Sequence, residues 1–160
     1  MLRDAEPSDA DAICNIYNEY ILNTTITFEE NPLNAEEMAS RIRLVRQSYP
    51  WLVYEEDSRI VGYAYAGKWK ERSAYRYSVE TAIYMDSRHL GKGIGTQLMN
   101  ELLKRLKAVS LHSVISGIAL PNPASIALCE KFAFKKIAHF SEVGYKLNRW
   151  IDVGYWELLL

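Results

Sequence analysis

Gly91, Gly93 and Gly95 stand at alternate positions between a strand-like segment and an amphipathic helical pattern. Backbone without side chains leaves successive N–H groups free to converge on an anion, and a following helix N-terminus adds its dipole. The spacing implies a pyrophosphate cradle, with Lys92 as a nearby cation and Thr96 as a hydroxyl at the helix start. Glu80 is a lone acid in the preceding segment. It has two readings: a base made useful by burial or a water relay, or a strand carboxylate paired with a cation such as Arg76. Arg72 suits a bidentate clamp on a carboxylate, or an ordinary surface turn. Cys129 is either a thiol able to exchange a proton or a small buried apolar residue. His89, His112 and His139 show no ligand spacing, and Cys14 and Cys129 show neither metal spacing nor a disulfide framework, so no metal is expected.

These residues need elements to hold them. Leu2 to Ala5 reads as a short strand. Ser8 and Asp11 resemble a capping box, and Ile13, Ile16, Tyr17, Tyr20 and Ile21 follow helical spacing from about Asp9 to Leu22. Asn34 and Glu37 cap a second helix with Met38, Ile42 and Val45 on one face, ending before Tyr49-Pro50. Trp51 to Glu55 and Ile60 to Lys68 form an antiparallel hairpin. Its Gly62-Tyr63-Ala64-Tyr65-Ala66-Gly67-Lys68 run nearly matches a nucleotide P-loop. Trp69 follows where a hydroxyl is needed, and the segment alternates like a strand, so that reading is rejected. Tyr75 to Met85 alternates as another strand. Ile94, Leu98, Leu102 and Leu106 form the stripe of a helix from Ile94 to about Val109. Ser113 to Leu120 is a strand of buried type. Asn122 and Pro123 suit the cap and first position of a helix to about Phe132. Lys135 to Val143 and Trp150 to Leu160 are the last strands, joined through Gly144 to Arg149. The order βααβββαβαββ predicts an α+β chain with a mixed, mostly antiparallel twisted sheet flanked by helices.

The 160 residues are 49% hydrophobic and 24% charged, with a formal net charge of −1. That suits one domain, 1–160, that buries roughly 70% of its unfolded surface. Near-neutral charge favours neither nucleic acid nor an anionic membrane as partner. Apolar runs fall well short of the ~20 residues of a membrane span. The N-terminal residues lack a signal-peptide apolar region, so a cytoplasmic location is expected.

Strand, glycine loop, helix, strand and Asn-capped helix together resemble the GNAT acyltransferase superfamily. Arg88-His89-Leu90-Gly91-Lys92-Gly93 fits its acyl-CoA motif, although alignment on the Gly-Ile-Gly ending puts Leu90 where the family has Arg or Gln. Further segments are similar to the phosphinothricin and methionine sulfoximine N-acetyltransferases. They include Thr25-Ile26-Thr27-Phe28-Glu29, Tyr49-Pro50-Trp51, Arg72-Ser73-Ala74-Tyr75, Val79-Glu80, Leu120-Pro121-Asn122-Pro123-Ala124-Ser125 and Trp150-Ile151-Asp152-Val153-Gly154-Tyr155-Trp156. The resemblance implies the GNAT fold, acetyl-CoA as acyl donor and a small amino-acid-like acceptor. It implies cofactor contacts from Ile83, Tyr84, Met85, Gly91, Lys92, Gly93, Ile94, Gly95, Thr96, Asn122 and Ser125. Acceptor contacts would come from Phe28, Lys70, Arg72 and Tyr75, and Glu80 would be the base. Cys129 stands where the family has Tyr or His as a proposed proton carrier. The resemblance also implies a homodimer. Another amine acceptor, or a CoA-binding module without turnover, are the other readings.

Overall fold

The computed structural model describes residues 1–160. The elements are β1 (Leu2–Asp4), α1 (Ala10–Asn23), α2 (Ala35–Arg46), β2 (Trp51–Glu56), β3 (Arg59–Lys68), β4 (Ser78–Met85), α3 (Ile94–Ala108), β5 (Ser113–Ala119), α4 (Pro123–Lys131), β6 (Lys135–Lys146) and β7 (Arg149–Leu159). This is the order read from the sequence. The strands form one seven-stranded sheet, β1-β2-β3-β4-β5-β7-β6. Every pairing is antiparallel except β4 with β5. The expected mixed, mostly antiparallel sheet is therefore present.

Period-2 alternation gives each central strand two buried faces. Val79 and Met85 of β4, Ala64 and Ala66 of β3, Val114 and Ile118 of β5 and Trp156 of β7 pack with the stripe Ile94, Leu98, Leu102 and Leu106 of α3. Opposite them, Tyr63, Val53 and Trp51 pack with Ile13, Tyr17 and Ile21 of α1 and with Met38 and Ile42 of α2. The sheet thus has one face under α3 and α4 and a second face under α1 and α2.

Local signals account for most helix ends. The Asn34 side chain accepts from Glu37 N–H at 2.9 Å while the Glu37 carboxylate accepts from Asn34 N–H at 3.0 Å. Asn122 caps α4 by accepting from Ser125 N–H at 3.2 Å, and Pro123 occupies the first turn. The Ser8–Asp11 box is not formed. The Asp9 carboxylate instead accepts from Glu6 N–H at 2.7 Å and closes a short 3-10 turn, Pro7–Asp9, ahead of α1. Arg3 also holds Asp9 through two bonds of 2.7 and 2.9 Å.

Two strand boundaries differ from expectation. Residues 73–75 form a 3-10 turn and β4 begins at Ser78. Tyr75 and Tyr77 continue the alternation in sequence, but both rings are exposed. The β6–β7 connection is shorter than expected: β6 runs on to Lys146, and only Leu147 and Asn148 turn the chain, both with positive φ (51° and 58°).

Candidate active site at the parting of β4 and β5

β4 and β5 run parallel but pair only over Ser78–Glu80 and Ser113–Ile115. Beyond those residues the strands separate. From Thr81 onward β4 pairs with β3 alone, so its other edge offers free backbone groups to an extended ligand. The parting opens into a groove lined by β4 from Thr81 to Met85, by β5 from Ser116 to Ala119, by the glycine loop and by α4, and the same depression, about 2140 Å³ in all, continues over α1 and the β2–β3 turn. Its length along β4, the glycine loop and α4 suits an extended ligand.

At one end lies the glycine loop. Gly91 and Gly93 have φ of 75° and 78°, a region open to glycine at little cost, and a Cβ at either would meet nothing within 4 Å. The loop is therefore bare on its open side, and Gly93 caps the 15-residue α3. Ile94, Gly95 and Thr96 follow on the first turn and line the groove. The arrangement fits a pyrophosphate: unshielded N–H groups at a helix N-terminus, with room above them.

The loop is braced from beneath by a feature the sequence reading missed. The Asp86 side chain accepts from Arg88 N–H at 2.9 Å and from the Arg88 guanidinium at 2.6 and 3.0 Å. These bonds hold its carboxyl well below the usual range. Asp two residues ahead of the loop is a turn-initiating signal that could have identified it. Lys92 does not line the groove. Its ammonium faces Glu56 at the end of β2 at 3.4 Å. Across the groove mouth, Lys131 of α4 reaches Thr96 Oγ1 at 3.4 Å, a cation near the helix start that the sequence reading did not single out.

Ile83, Tyr84 and Met85 stand on the free edge of β4 and line the groove. The Met85 carbonyl already accepts from the Tyr20 hydroxyl at 2.7 Å. The Tyr84 ring lies between Tyr17 (4.9 Å), Tyr20 (5.2 Å) and Tyr63 (5.5 Å), which tethers this edge to α1. Asn122 and Ser125 line the far wall at the start of α4.

At the apex of the parting the two sheet faces carry different chemistry. Glu80 faces the α1/α2 side. Its carboxylate approaches Gly117, where a Cβ would lie 3.0 Å from Glu80 Oε1 and 3.0 Å from the Tyr155 ring. The alternative reading, a pairing with Arg76, is not formed: that guanidinium bonds Ser73 O at 3.2 Å and stacks 4.6 Å from the Tyr77 ring. Half-buried and without an ion pair, Glu80 has its pKa raised by loss of solvation, with Lys70 acting in the opposite direction. Around it, Tyr155 meets Trp69 edge-on at 5.6 Å and Phe140 at 5.7 Å, and Lys70 sits 4.8 Å over the Trp69 ring. Trp69, Gly117, Phe140 and Tyr155 were not expected from sequence, because they come from three strands and the segment after β3, and no local spacing links them.

None of the expected acceptor residues, Phe28, Lys70, Arg72 and Tyr75, lines the groove. Lys70 joins the Glu80 surroundings. Arg72 and Tyr75 lie in the exposed turn between β3 and β4, and Arg72 makes no ion pair. Phe28 lies in the α1–α2 connection with its ring against Gly144, where a Cβ would approach within 2.4 Å. The same connection is fastened at Thr27, whose carbonyl accepts from buried Lys146 at 2.8 Å. It is fastened again at Glu29, whose carboxylate takes a bidentate pair from Arg41 at 2.6 and 2.9 Å.

Opposite Glu80, on the face under α3 and α4, hereafter the donor face, Thr81 and Ser116 place their hydroxyl oxygens 2.9 Å apart. Cys129 lines the groove beside Ser116, 3% exposed, with its thiol pKa raised by burial and pulled the other way by the Ser116 hydroxyl. The groove therefore joins an anion cradle to an apex lined by Thr81, Ser116 and Gly117; Glu80 does not line it, and its desolvated carboxylate stands beside Gly117 on the other face of the sheet. The arrangement suits transfer of a group from a long phosphate-bearing donor to a basic acceptor.

The family model for the acetyltransferase (GNAT) domain matches residues 2–154. Phosphinothricin N-acetyltransferase of Streptomyces viridochromogenes is 37% identical over 98% of this chain and 85% of that protein. L-methionine sulfoximine/L-methionine sulfone acetyltransferase of Salmonella typhimurium is 33% identical over 99% of this chain and 94% of that protein. The crystal structure of a GNAT superfamily phosphinothricin acetyltransferase from Sinorhizobium meliloti in complex with acetyl-CoA superposes with a TM-score of 0.96. It is 37% identical, and the match covers 100% of this chain and 88% of that one.

Proposed function

The chain belongs to the GNAT acetyltransferases, and on that premise we propose that it transfers acetyl from acetyl-CoA to the amine of a small amino-acid-like acceptor such as phosphinothricin, methionine sulfoximine or methionine sulfone. The observation that carries this reading is the parting of β4 and β5 immediately beyond Glu80, which opens a groove with the glycine cradle at one end and, on its wall, Gly117, beside which the desolvated Glu80 carboxylate stands.

Acetyl-CoA supplies an activated thioester. The N–H groups of Gly91 to Thr96 hold its pyrophosphate, and the free edge of Ile83 to Met85 aligns its extended arm. Asn122 and Ser125 close the far wall. Glu80 takes a proton from the acceptor's ammonium, directly or through one water. Its raised pKa makes it a better base than a solvated glutamate. Phe28, Lys70, Arg72 and Tyr75 supply the acceptor side, with Arg72 matched to an amino-acid carboxylate. Holding donor and acceptor in line within one ternary complex supplies much of the rate.

Residues 1–160 constitute one N-acetyltransferase domain in this reading. It works as a homodimer with no nucleic acid or membrane partner. The exposed apolar residues Ile137, Phe140, Val143, Tyr145, Leu147 and Trp150 on β6, its turn and the start of β7 support the dimer. No helix is long and apolar enough to cross a membrane. Two buried free cysteines support a cytoplasmic site.

The test is a CoA-release assay with the three named amino acids beside a panel of other amines. Turnover on a named acceptor is the expected result. Turnover only on other amines would move the acceptor class, and CoA binding with no turnover on any amine would leave a binding module.

A further inference from the structure

The donor face at the apex is apolar except for two hydroxyls. Val79, Val114, Ile118 and Trp156 surround it, yet β4 and β5 place Thr81 and Ser116 there, 7% and 6% exposed. Burying hydroxyls costs free energy unless they are hydrogen-bonded, and apolar residues of similar size would serve packing alone. The Thr81 hydroxyl also reaches the carbonyl of Ile115 at 3.4 Å, the last β5 residue still paired with β4. With the Thr81 proton directed at that carbonyl, Thr81 Oγ1 is the acceptor for Ser116. Ser116 is thus held in place and keeps a rotatable O–H at the groove wall.

We propose that the Ser116 hydroxyl is the hydrogen-bond donor to the sulfur that leaves when acetyl is transferred. This rests on the reading of the glycine loop as the donor's cradle and of Glu80 as the base. The acceptor amine reaches the thioester carbonyl from the Glu80 face, so the departing sulfur lies toward the other face, where Ser116 is. The N–C bond forms, the C–S bond breaks, and the C–S electron pair passes to sulfur. The ammonium gives up two protons by way of Glu80 and water, and one proton returns from water to the sulfur as CoA leaves. Ser116 keeps its own proton, turning its O–H from Thr81 to the thiolate while the charge develops. A charge-assisted bond that exists only in this state lowers the barrier without tightening ground-state binding. Tyr155 cannot take this part because it flanks Glu80 on the opposite face. Cys129 also lines the groove, but its thiol is a weaker donor than a hydroxyl.

Ser116→Ala removes one oxygen and adds no volume, so the fold is kept. The expected result is a fall in kcat of roughly ten- to a hundredfold with KM for acetyl-CoA nearly unchanged. A second readout uses no turnover. The thiol of bound CoA is titrated by its ultraviolet thiolate absorbance, with the desulfo-CoA complex subtracted to remove the protein's own cysteines. In the wild type the bound thiol titrates below free CoA, and in Ser116→Ala it moves back up. An unchanged kcat, or a CoA thiol that titrates identically in both proteins, overturns the role of Ser116 while leaving the acetyltransferase reading intact. Failure of the wild type to bind CoA by calorimetry overturns both.

Discussion

Glu80 carries opposing demands from folding and from chemistry. Its carboxylate is desolvated over Gly117 and has no ion pair, so its pKa in the folded chain is raised. A raised carboxylate pKa means that the folded state binds protons more readily than the unfolded state between the two pKa values. The stability tied to this group is therefore full below the unfolded pKa and is lost as pH rises through the folded one. Glu80→Gln removes the penalty of a buried negative charge. The variant is expected to melt at a higher temperature than the parent at neutral pH, with a difference that shrinks toward acid pH, as differential scanning fluorimetry across pH can record. Activity moves the other way. Loss of the base is expected to lower kcat by about 10²-fold or more and to flatten the acid limb of the kcat/KM profile, which in the parent rises as Glu80 ionises. Such a trade of stability for activity is what a polar group kept at a functional site produces. The importance of Glu80 was legible as a lone acid within an alternating strand. Its surroundings were not, because Gly117 and Tyr155 meet it only through the β5–β7 register. Nor was the absence of the Arg76 pairing, which depends on β4 starting at Ser78 rather than Tyr75.

At the scale of elements, the segments whose ends depend on their own side chains were readable. Asn34 with Glu37, Asn122 with Pro123 and the Ile94–Leu106 stripe all act within one or two turns. The β6–β7 turn was not readable, because Leu147 and Asn148 take left-handed conformations that Leu rarely adopts and that the hairpin imposes. That hairpin matters beyond its own fold. Its β6 side holds Phe28 against Gly144 and Thr27 against Lys146, so it fixes the α1–α2 connection. Gly144→Ala places a methyl within 2.4 Å of the Phe28 ring. The ring must shift and the connection with it. Phe28 is 43% exposed and only the far edge of its ring is met, so the expected loss of stability by chemical denaturation is small, about 1 kcal/mol or less. A rise in KM for the acceptor is expected with little change in CoA affinity, because the glycine loop lies at the far end of the groove. A variant whose acceptor KM stays at the parent value would place Phe28 outside the acceptor site.

The sheet as a whole ends unequally. β1 closes one edge with three residues, which blunts it against further pairing. β6 ends the other with twelve, interrupted by an irregularity between Phe140 and Gly144. Along and beside that long edge Ile137, Phe140, Val143, Tyr145 and Trp150 are each at least half exposed, with Tyr145 and Trp150 rings 4.9 Å apart. β6 is paired with β7 on one side only, and its free edge beside these exposed apolar side chains can be covered by a second copy of the chain through two-fold symmetry. Replacing Val143 with Lys puts a charge in the middle of this surface without touching a core residue. In sedimentation velocity the parent is expected to run as a dimer and Val143→Lys as a monomer. The same strand fastens the α1–α2 connection, so the monomer is further expected to show a raised acceptor KM while binding CoA normally. If the monomeric variant keeps the parent's acceptor KM, the strand that pairs the subunits does not also shape the acceptor site. If the parent itself sediments as a monomer, the exposed β6 surface requires a different partner.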